Sequence, residues 1–274
     1  MGRWPELIVL WRHPGVFRRG AAVRDLLVNL LASVVAGAAV WLGQRLVRYR
    51  RLARKRAFFG LDKGADCLLA VSRHAASPHQ LSVHRRDVEA LVELATIARD
   101  CGGRADLAAE DDISQGIGRM TEFCVGGPQG NPRTAAHLRS ILRGIRIDAA
   151  EGRELPFSVG TATFRREPGR AEYVVLARAW GPAGGCPVFV LGGQTARTNL
   201  AAARFLAARY RQLHRRYGAS KPFCLVLRIV EPDVYGVDFT EIAADATDEA
   251  FQPPGSAPDA GPAAVTGTPS PVDG

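Results

Sequence analysis

EFCVGGPQGNPRTAAHLRSIL, residues 122–142, and PVFVLGGQTARTNLAAARFLAARY, residues 187–210, repeat one arrangement: a short apolar run, a Gly-Gly step, a polar stretch with Thr, then a helical pattern. A brief, continuously apolar run closed by turn residues reads as a strand buried on both faces. In the second unit Ala203, Leu206, Tyr210, Leu213 and Tyr217 recur at three- and four-residue steps, and Arg204, Arg211 and Arg215 fall on the opposite, solvated side. Strands alternating with helices in this way predict a three-layer α/β sheet, mostly parallel.

Working outward, DCLLAVS at 66–72 is another strand-length apolar run. Val88, Leu91, Val92, Ala95 and Ala98 then form one face of a helix that ends at Cys101-Gly102-Gly103. PFSVGTATFRRE and AEYVVLARAW flank Pro168-Gly169-Arg170, which predicts a β-hairpin inserted between the two units. PFCLVLRIV at 222–230 is a further buried strand, and VDFTEIAADA is a last, partly exposed one. The α/β domain is therefore expected over residues 61–250. The Pro-, Ala-, Gly-, Ser- and Thr-rich stretch 251–274 has no periodicity and is expected to be disordered.

A different pattern precedes the domain. Between Asp25 and Arg45 lie 19 uncharged residues, LLVNLLASVVAGAAVWLGQ. At about 1.5 Å per residue they match a hydrocarbon core of ~30 Å, so a transmembrane helix is expected over 26–47 after a short N-terminal segment, 1–25. Trp41 and Tyr49 stand where interfacial aromatics belong. A cleaved signal peptide fits less well, because its leader and its apolar run would both be too long. Arg45, Arg48, Arg50, Arg51, Arg54, Lys55 and Arg56 follow the span, against Arg3, Arg12, Arg18, Arg19 and Arg24 before it. This bias places the domain in the cytoplasm. Within the basic linker 48–60, Arg48, Arg50, Arg51, Arg54, Lys55 and Arg56 are expected to meet anionic lipid head groups. Ser33 and Gly37, with Ala39 and Gly43, have the spacing of close-packed helix pairs, from which a homodimer is expected.

The net charge of +9 invites a nucleic-acid reading, but it is local. Residues 1–60 hold 12 Lys and Arg against Glu6 and Asp25, which leaves 24 basic and 25 acidic residues in the rest of the chain. No nucleic-acid partner is expected. Cys67, Cys101, Cys124, Cys186 and Cys224 form neither a CxxC site nor an even framework, and they agree with a reducing compartment.

In an open α/β sheet ligands bind beyond the carboxyl ends of the strands. Glycine lets a ligand approach the backbone there, and the N–H groups of a helix start attract anions. This makes Gly126, Gly127, Asn131 and Thr134 of the first unit, and Gly192, Gly193, Thr195 and Thr198 of the second, candidate ligand contacts. Each also has an ordinary reading. Asn131-Pro132 makes a common helix start, and Thr195 or Thr198 can cap the second helix. Neither turn is GxxxxGK[ST] or GxGxxG.

His74, following the first strand, is expected to open towards the same crevice as an anion ligand or a general base, and its ordinary reading is a solvated loop histidine. His74, His79 and His84, spaced by five residues, do not share a helix face, so no metal site is expected from them and the Glu110-Asp111-Asp112 run. No GxSxG elbow or Cys/His pair is present, and Asp112 and Glu122 are acid/base candidates only by sequence proximity.

VGGPQGNPRTAAHL followed by VFVLGGQTARTNLAAARFLA resembles uncharacterised prokaryotic membrane-anchored Rossmann-like α/β domains with a GGPxxNxxT-type turn. The resemblance covers roughly residues 120–210. It implies a ligand-binding, sensory domain and supplies neither a reaction nor a cofactor. Gly-Gly-Gln-Thr stands here where that pattern has a Gly-Thr step, which separates Thr195 and Thr198 from a direct equivalence. The expected function is thus a membrane-tethered cytoplasmic domain that binds a nucleotide-like or other anionic small molecule. The alternatives are a hydrolase or transferase in the same crevice and a non-catalytic, membrane-tethered interaction protein.

Overall fold

The computed structural model describes residues 17–74, 77, 82–108, 116–147 and 155–253, with side chains from Arg24 onward. The first helix, Phe17–Phe59 (α1), contains the uncharged run. Its stretch Arg24–Phe59 is long and apolar enough to cross a membrane, and its most apolar part buries nothing against protein. Ser33 returns its hydroxyl to the Asn29 carbonyl at 2.8 Å, which satisfies that polar group inside the helix.

The chain divides into two compact units, Met1–Ala53 and Arg54–Gly274. The second opens with the last turns of α1, so the basic stretch after the apolar run is helical. Phe58 and Phe59 are fully buried in the core. Arg56 donates to the Cys101 carbonyl at 2.7 Å, and Lys55 pairs with Asp100 at 2.7 Å.

The strands and helices of the second unit follow in order: Asp66–Val71 (β1), Arg85–Asp100 (α2), Arg104–Ala108 (β2), Thr121–Val125 (β3), Pro132–Ser140 (α3), Ile145–Ile147 (β4), Phe157–Val159 (β5), Ala162–Phe164 (β6), Ala171–Gly181 (β7), Gly184–Gly193 (β8), Ala196–Tyr217 (α4), Phe223–Val230 (β9), Pro232–Tyr235 (α5), Thr240–Asp245 (β10) and Thr247–Phe251 (α6). Seven strands make the main sheet, in the order β10-β9-β7-β8-β3-β1-β2, and β4-β5-β6 make a small one. β1 runs parallel to β2 and β3, and β3 parallel to β8. β7 is antiparallel to β8 and β9, and β10 is antiparallel to β9. Five of the seven strands therefore share one direction.

Alternation along the central strands feeds two cores. Leu69, Phe123, Leu176, Phe189 and Leu225 face α2, α4 and the end of α1. Ala70, Cys124, Val175, Val190 and Val226 face α3, α6 and the small sheet. Each large side chain so buried contributes about 1.5–3 kcal/mol.

The hairpin expected across Pro168-Gly169-Arg170 does not form. Only an isolated bridge, Glu167 with Ala171, spans that turn. PFSVGTATF instead folds on itself as β5 and β6, and AEYVVLARAW enters the main sheet as β7. The reason is that β7 is apolar on both faces: Val174 and Leu176 point to one core, Val175 and Ala177 to the other. Such a strand is stable only between two layers. Its hairpin partner is β8, across Pro182-Ala183.

Candidate functional site

β1 and β3 are neighbours, yet the chain leaves them in opposite directions. From β1 it passes through α2 on the first face to β2, and from β3 through α3 on the second face towards β8. This divergence is the topological switch point at which open α/β sheets form crevices. Residues 72–74, 126–131 and 194–195 lie at the carboxyl ends of β1, β3 and β8, and α3 and α4 start directly after the second and third of these.

The two Gly-Gly steps are adjacent, since Gly126 N–H donates to the Leu191 carbonyl at 2.9 Å. Their glycines serve different ends. Gly126 has φ +105°, and a Cβ there would lie 1.8 Å from Ser72 Oγ, so the turn and its packing both require glycine. Gly192 and Gly193 are the last residues of β8, paired with Val175 and Val174, and not the tight turn the sequence suggests. A Cβ on Gly193 would meet Thr198 Oγ1 at 2.0 Å. Gly127 is half-exposed: among the described residues a Cβ there would press on Gln129 Oε1 at 3.2 Å, with the Gly193 carbonyl next at 3.9 Å.

Most of the predicted polar contacts are committed to the fold. Asn131 caps α3, accepting from Arg133 and Thr134 N–H, while its amide donates to the Val125 carbonyl at 3.1 Å. Thr195 and Thr198 form a capping box at the start of α4, and the Thr195 hydroxyl also donates to Glu172 at 2.7 Å. Asn131, Thr195 and Thr198 thus hold the helix starts in place, whereas Thr134 is fully buried beneath the turn, its hydroxyl without a partner among the described residues.

His74 is half-buried after β1, its ring stacked on His84 at 5.3 Å between centroids. His84 caps α2 by accepting from Arg86 N–H. His74 Nδ1 is buried without a partner among the described residues. His79, Asp112 and the rest of the acidic run lie outside the described residues.

Sequence reading missed a polar chain that joins the β1 and β8 loops. Asn199 accepts from Gly193 N–H at 3.0 Å and donates to Asp87 at 2.9 Å. Burial raises the Asp87 carboxyl above its ordinary range, and the Asn199 hydrogen bond and nearby His84 and His74 offset this in part. Both residues look in sequence like ordinary members of amphipathic helices. Only the pairing of α2 with α4 brings them together. On the other side of those helices, Arg86, Arg197, Arg204, Asp233 and Asp238 line a polar cleft of about 480 Å³. Arg197 pairs with Asp233 at 2.7 Å and Arg204 with Asp238 at 3.0 Å.

Glu122 turns away from the crevice, onto the second face. Arg133 binds both its oxygens, at 2.7 and 2.8 Å, His137 Nε2 lies 2.8 Å away, and the Cys124 thiol donates at 3.0 Å. Burial opposes the charge, but the His137 and Arg133 hydrogen bonds outweigh it and hold the carboxyl at about 2. The ligand atoms of Glu122, Cys124 and His137 lie within 4.8 Å of one another, a spacing that suits a metal ion. Arg133 already supplies the positive charge that a cation would bring, so this set fits a closed structural network better. No known protein family matches this chain and no curated protein matches it in sequence, so the site is read from its own residues.

Proposed function

We propose that the second unit binds a small anionic molecule, nucleotide-like in its phosphate chemistry, at the carboxyl ends of β1, β3 and β8. In this reading α1 crosses the membrane, the domain is cytoplasmic, and the protein works as a sensor or regulator. The observation that carries it is the convergence of three helix starts, those of α2, α3 and α4, at one switch point of the sheet. Their N–H groups and dipoles favour an anion, and Gly127 gives access to the backbone. The strand order and the helices on both faces support a Rossmann-like description, with β7 and β10 as antiparallel strands. The binding set narrows from the sequence candidates to Gly127, His74 and the adjoining backbone.

The test is thermal stabilisation of the full-length protein in detergent by a panel of nucleotides and inorganic phosphates. A stabilising ligand whose effect is lost in Gly127→Val supports the proposal. No stabilisation by any anion sinks it. Gly193→Val is unsuitable as a control, because its side chain would collide with Thr198 without any ligand.

A second reading, turnover of the bound molecule by a transferase or hydrolase, draws on Asp87. A buried carboxyl with a raised pKa beside two histidines is suited to proton transfer. It requires product formation that is lost in both Asp87→Asn and His74→Ala.

A further inference from the structure

The outer face of α3 and strand β4 leave a groove between them of about 420 Å³. Leu138 and Ile145, buried in the second core, form its floor, half-buried Ala135 and Ile147 form its apolar walls, and Arg139 and Arg143 stand exposed beside it. Among the described residues β4 is an edge strand of the small sheet, paired on one side only, with β5. Among the described residues neither Arg139 nor Arg143 forms an ion pair with a carboxylate; Arg143 reaches only the Ser140 carbonyl, at 3.3 Å. Among the described residues the groove thus combines half-buried apolar walls, two guanidinium groups without a carboxylate partner and a strand edge.

We infer that this groove docks an extended acidic segment of a partner protein, laid beside β4 with apolar side chains in the groove and Asp or Glu at the two arginines. Each part of the surface selects one property of the occupant. The apolar lining disfavours an inorganic anion or a nucleic-acid backbone, which would have to be desolvated against Leu138, Ile145 and Ile147. Guanidinium groups match carboxylates in a planar, two-point geometry. A strand paired on one side offers main-chain groups to a second extended chain, the mode in which backbone hydrogen bonds give affinity and alternate side chains give specificity. An acidic segment of alternating pattern satisfies all three at once. The inference stands apart from the anion site, which uses different residues at the carboxyl edge of the main sheet.

The experiment is a display selection of random octapeptides on the full-length protein in nanodiscs of zwitterionic lipid, followed by anisotropy measurements with the best synthetic peptide. The selected peptides are expected to alternate apolar residues with Asp or Glu. Affinity is expected to fall at least tenfold in Ala135→Trp, which fills the groove, and in the double variant Arg139→Glu with Arg143→Glu. That double variant, put through the same selection, is expected to recover peptides carrying Lys or Arg instead. A gain of this kind cannot come from misfolding, which keeps the test decisive if Ala135→Trp fails to fold. Enrichment of no peptide over empty nanodiscs, enrichment of peptides without carboxylates, or affinity unchanged in both variants overturns the inference. So does displacement of the peptide by oleate at equal affinity in wild type and the charge-reversed protein, which assigns the groove to acyl chains.

Discussion

The Arg133 guanidinium grips both oxygens of the Glu122 carboxylate, at 2.7 and 2.8 Å, and so ties the first turn of α3 to β3 directly below the Gly126-Gly127 turn. A buried pair of this kind is weak evidence of net stability, but breaking it leaves an uncompensated charge. Arg133→Leu is expected to lower unfolding stability by about 3 kcal/mol. Glu122→Gln, which keeps an acceptor for Arg133 and His137, is expected to cost less. Urea titration of the two variants checks the order, and a reversal would mean that His137 alone neutralises Glu122.

The same carboxylate gives the protein an acid limit. Its folded pKa of about 2 lies below the unfolded value of 4.5, so its contribution is complete above pH 4.5 and is lost as pH falls towards 2. A shift of this size corresponds to about 3 kcal/mol. Thermal unfolding followed from pH 6 down to pH 3 should show a fall that is much shallower in Glu122→Gln. Parallel curves for the two proteins would place the acid sensitivity elsewhere, with Asp245 as the next candidate, because its carboxyl is also lowered by hydrogen bonds from Thr247 and Tyr217.

Arg178 is fully buried, and among the described residues no carboxylate pairs with it. It donates to the carbonyls of Phe58 at 3.1 Å, Gly218 at 3.0 Å and Lys221 at 2.6 Å, with its guanidinium 4.4 Å from the Phe58 ring centroid. Burial brings its pKa down to about 10. Arg178→Met fills much of the volume but strands three carbonyls, at about 1 kcal/mol each, so a loss of about 3 kcal/mol is expected in chemical denaturation. A Met variant as stable as wild type would show that desolvating the charge costs as much as its hydrogen bonds return.

These predictions turn on residues that differ in how far sequence reveals them. The central strands were legible because β3, β8 and β9 are apolar on both faces, and the long helices because their apolar faces recur at helical steps. β2 was not, because RADLA is an edge strand with Leu107 60% exposed, and it is held by pairing with β1 without an apolar signal. The fate of β7 was missed for a non-local reason: whether an apolar strand pairs with the preceding hairpin or enters a sheet depends on partners far along the chain. At the site, the adjacency of the two Gly-Gly steps followed from parallel pairing of their strands. The capping roles of Asn131, Thr195 and Thr198 were legible as one of two readings, whereas the meeting of Asp87 with Asn199 across 112 positions needed the helices in place.

The Asp87–Asn199 contact allows a charge test. Asn199→Asp puts a second carboxyl against the first, and two such groups hold one proton between them more readily than none. The pair's folded pKa then rises above the unfolded value, so its stability is present at low pH and is lost as pH rises through that folded value. Asn199→Asp is expected to be destabilised at pH 8 and to recover most of its stability at pH 5. Asn199→Ala should be destabilised at both, since it also leaves Gly193 N–H without its acceptor. Equal behaviour of the two variants would show that the loss comes from the missing Asn199 amide and not from repulsion between two carboxylates.

The glycines at the crevice separate packing from access. Gly126→Ala must place a Cβ on Ser72 at a φ of +105°, and Gly193→Ala must place one on Thr198, so each is expected to lose about 2–4 kcal/mol. Among the described residues Gly127→Ala meets only the Gln129 side-chain oxygen within 3.4 Å and has no positive φ, so its stability should stay within about 1 kcal/mol of wild type. Differential scanning fluorimetry of the three variants ranks them without any ligand. If Gly127→Ala proves as damaging as the others, the surface around it is closed by protein, and the anion site loses the one glycine that opens onto it.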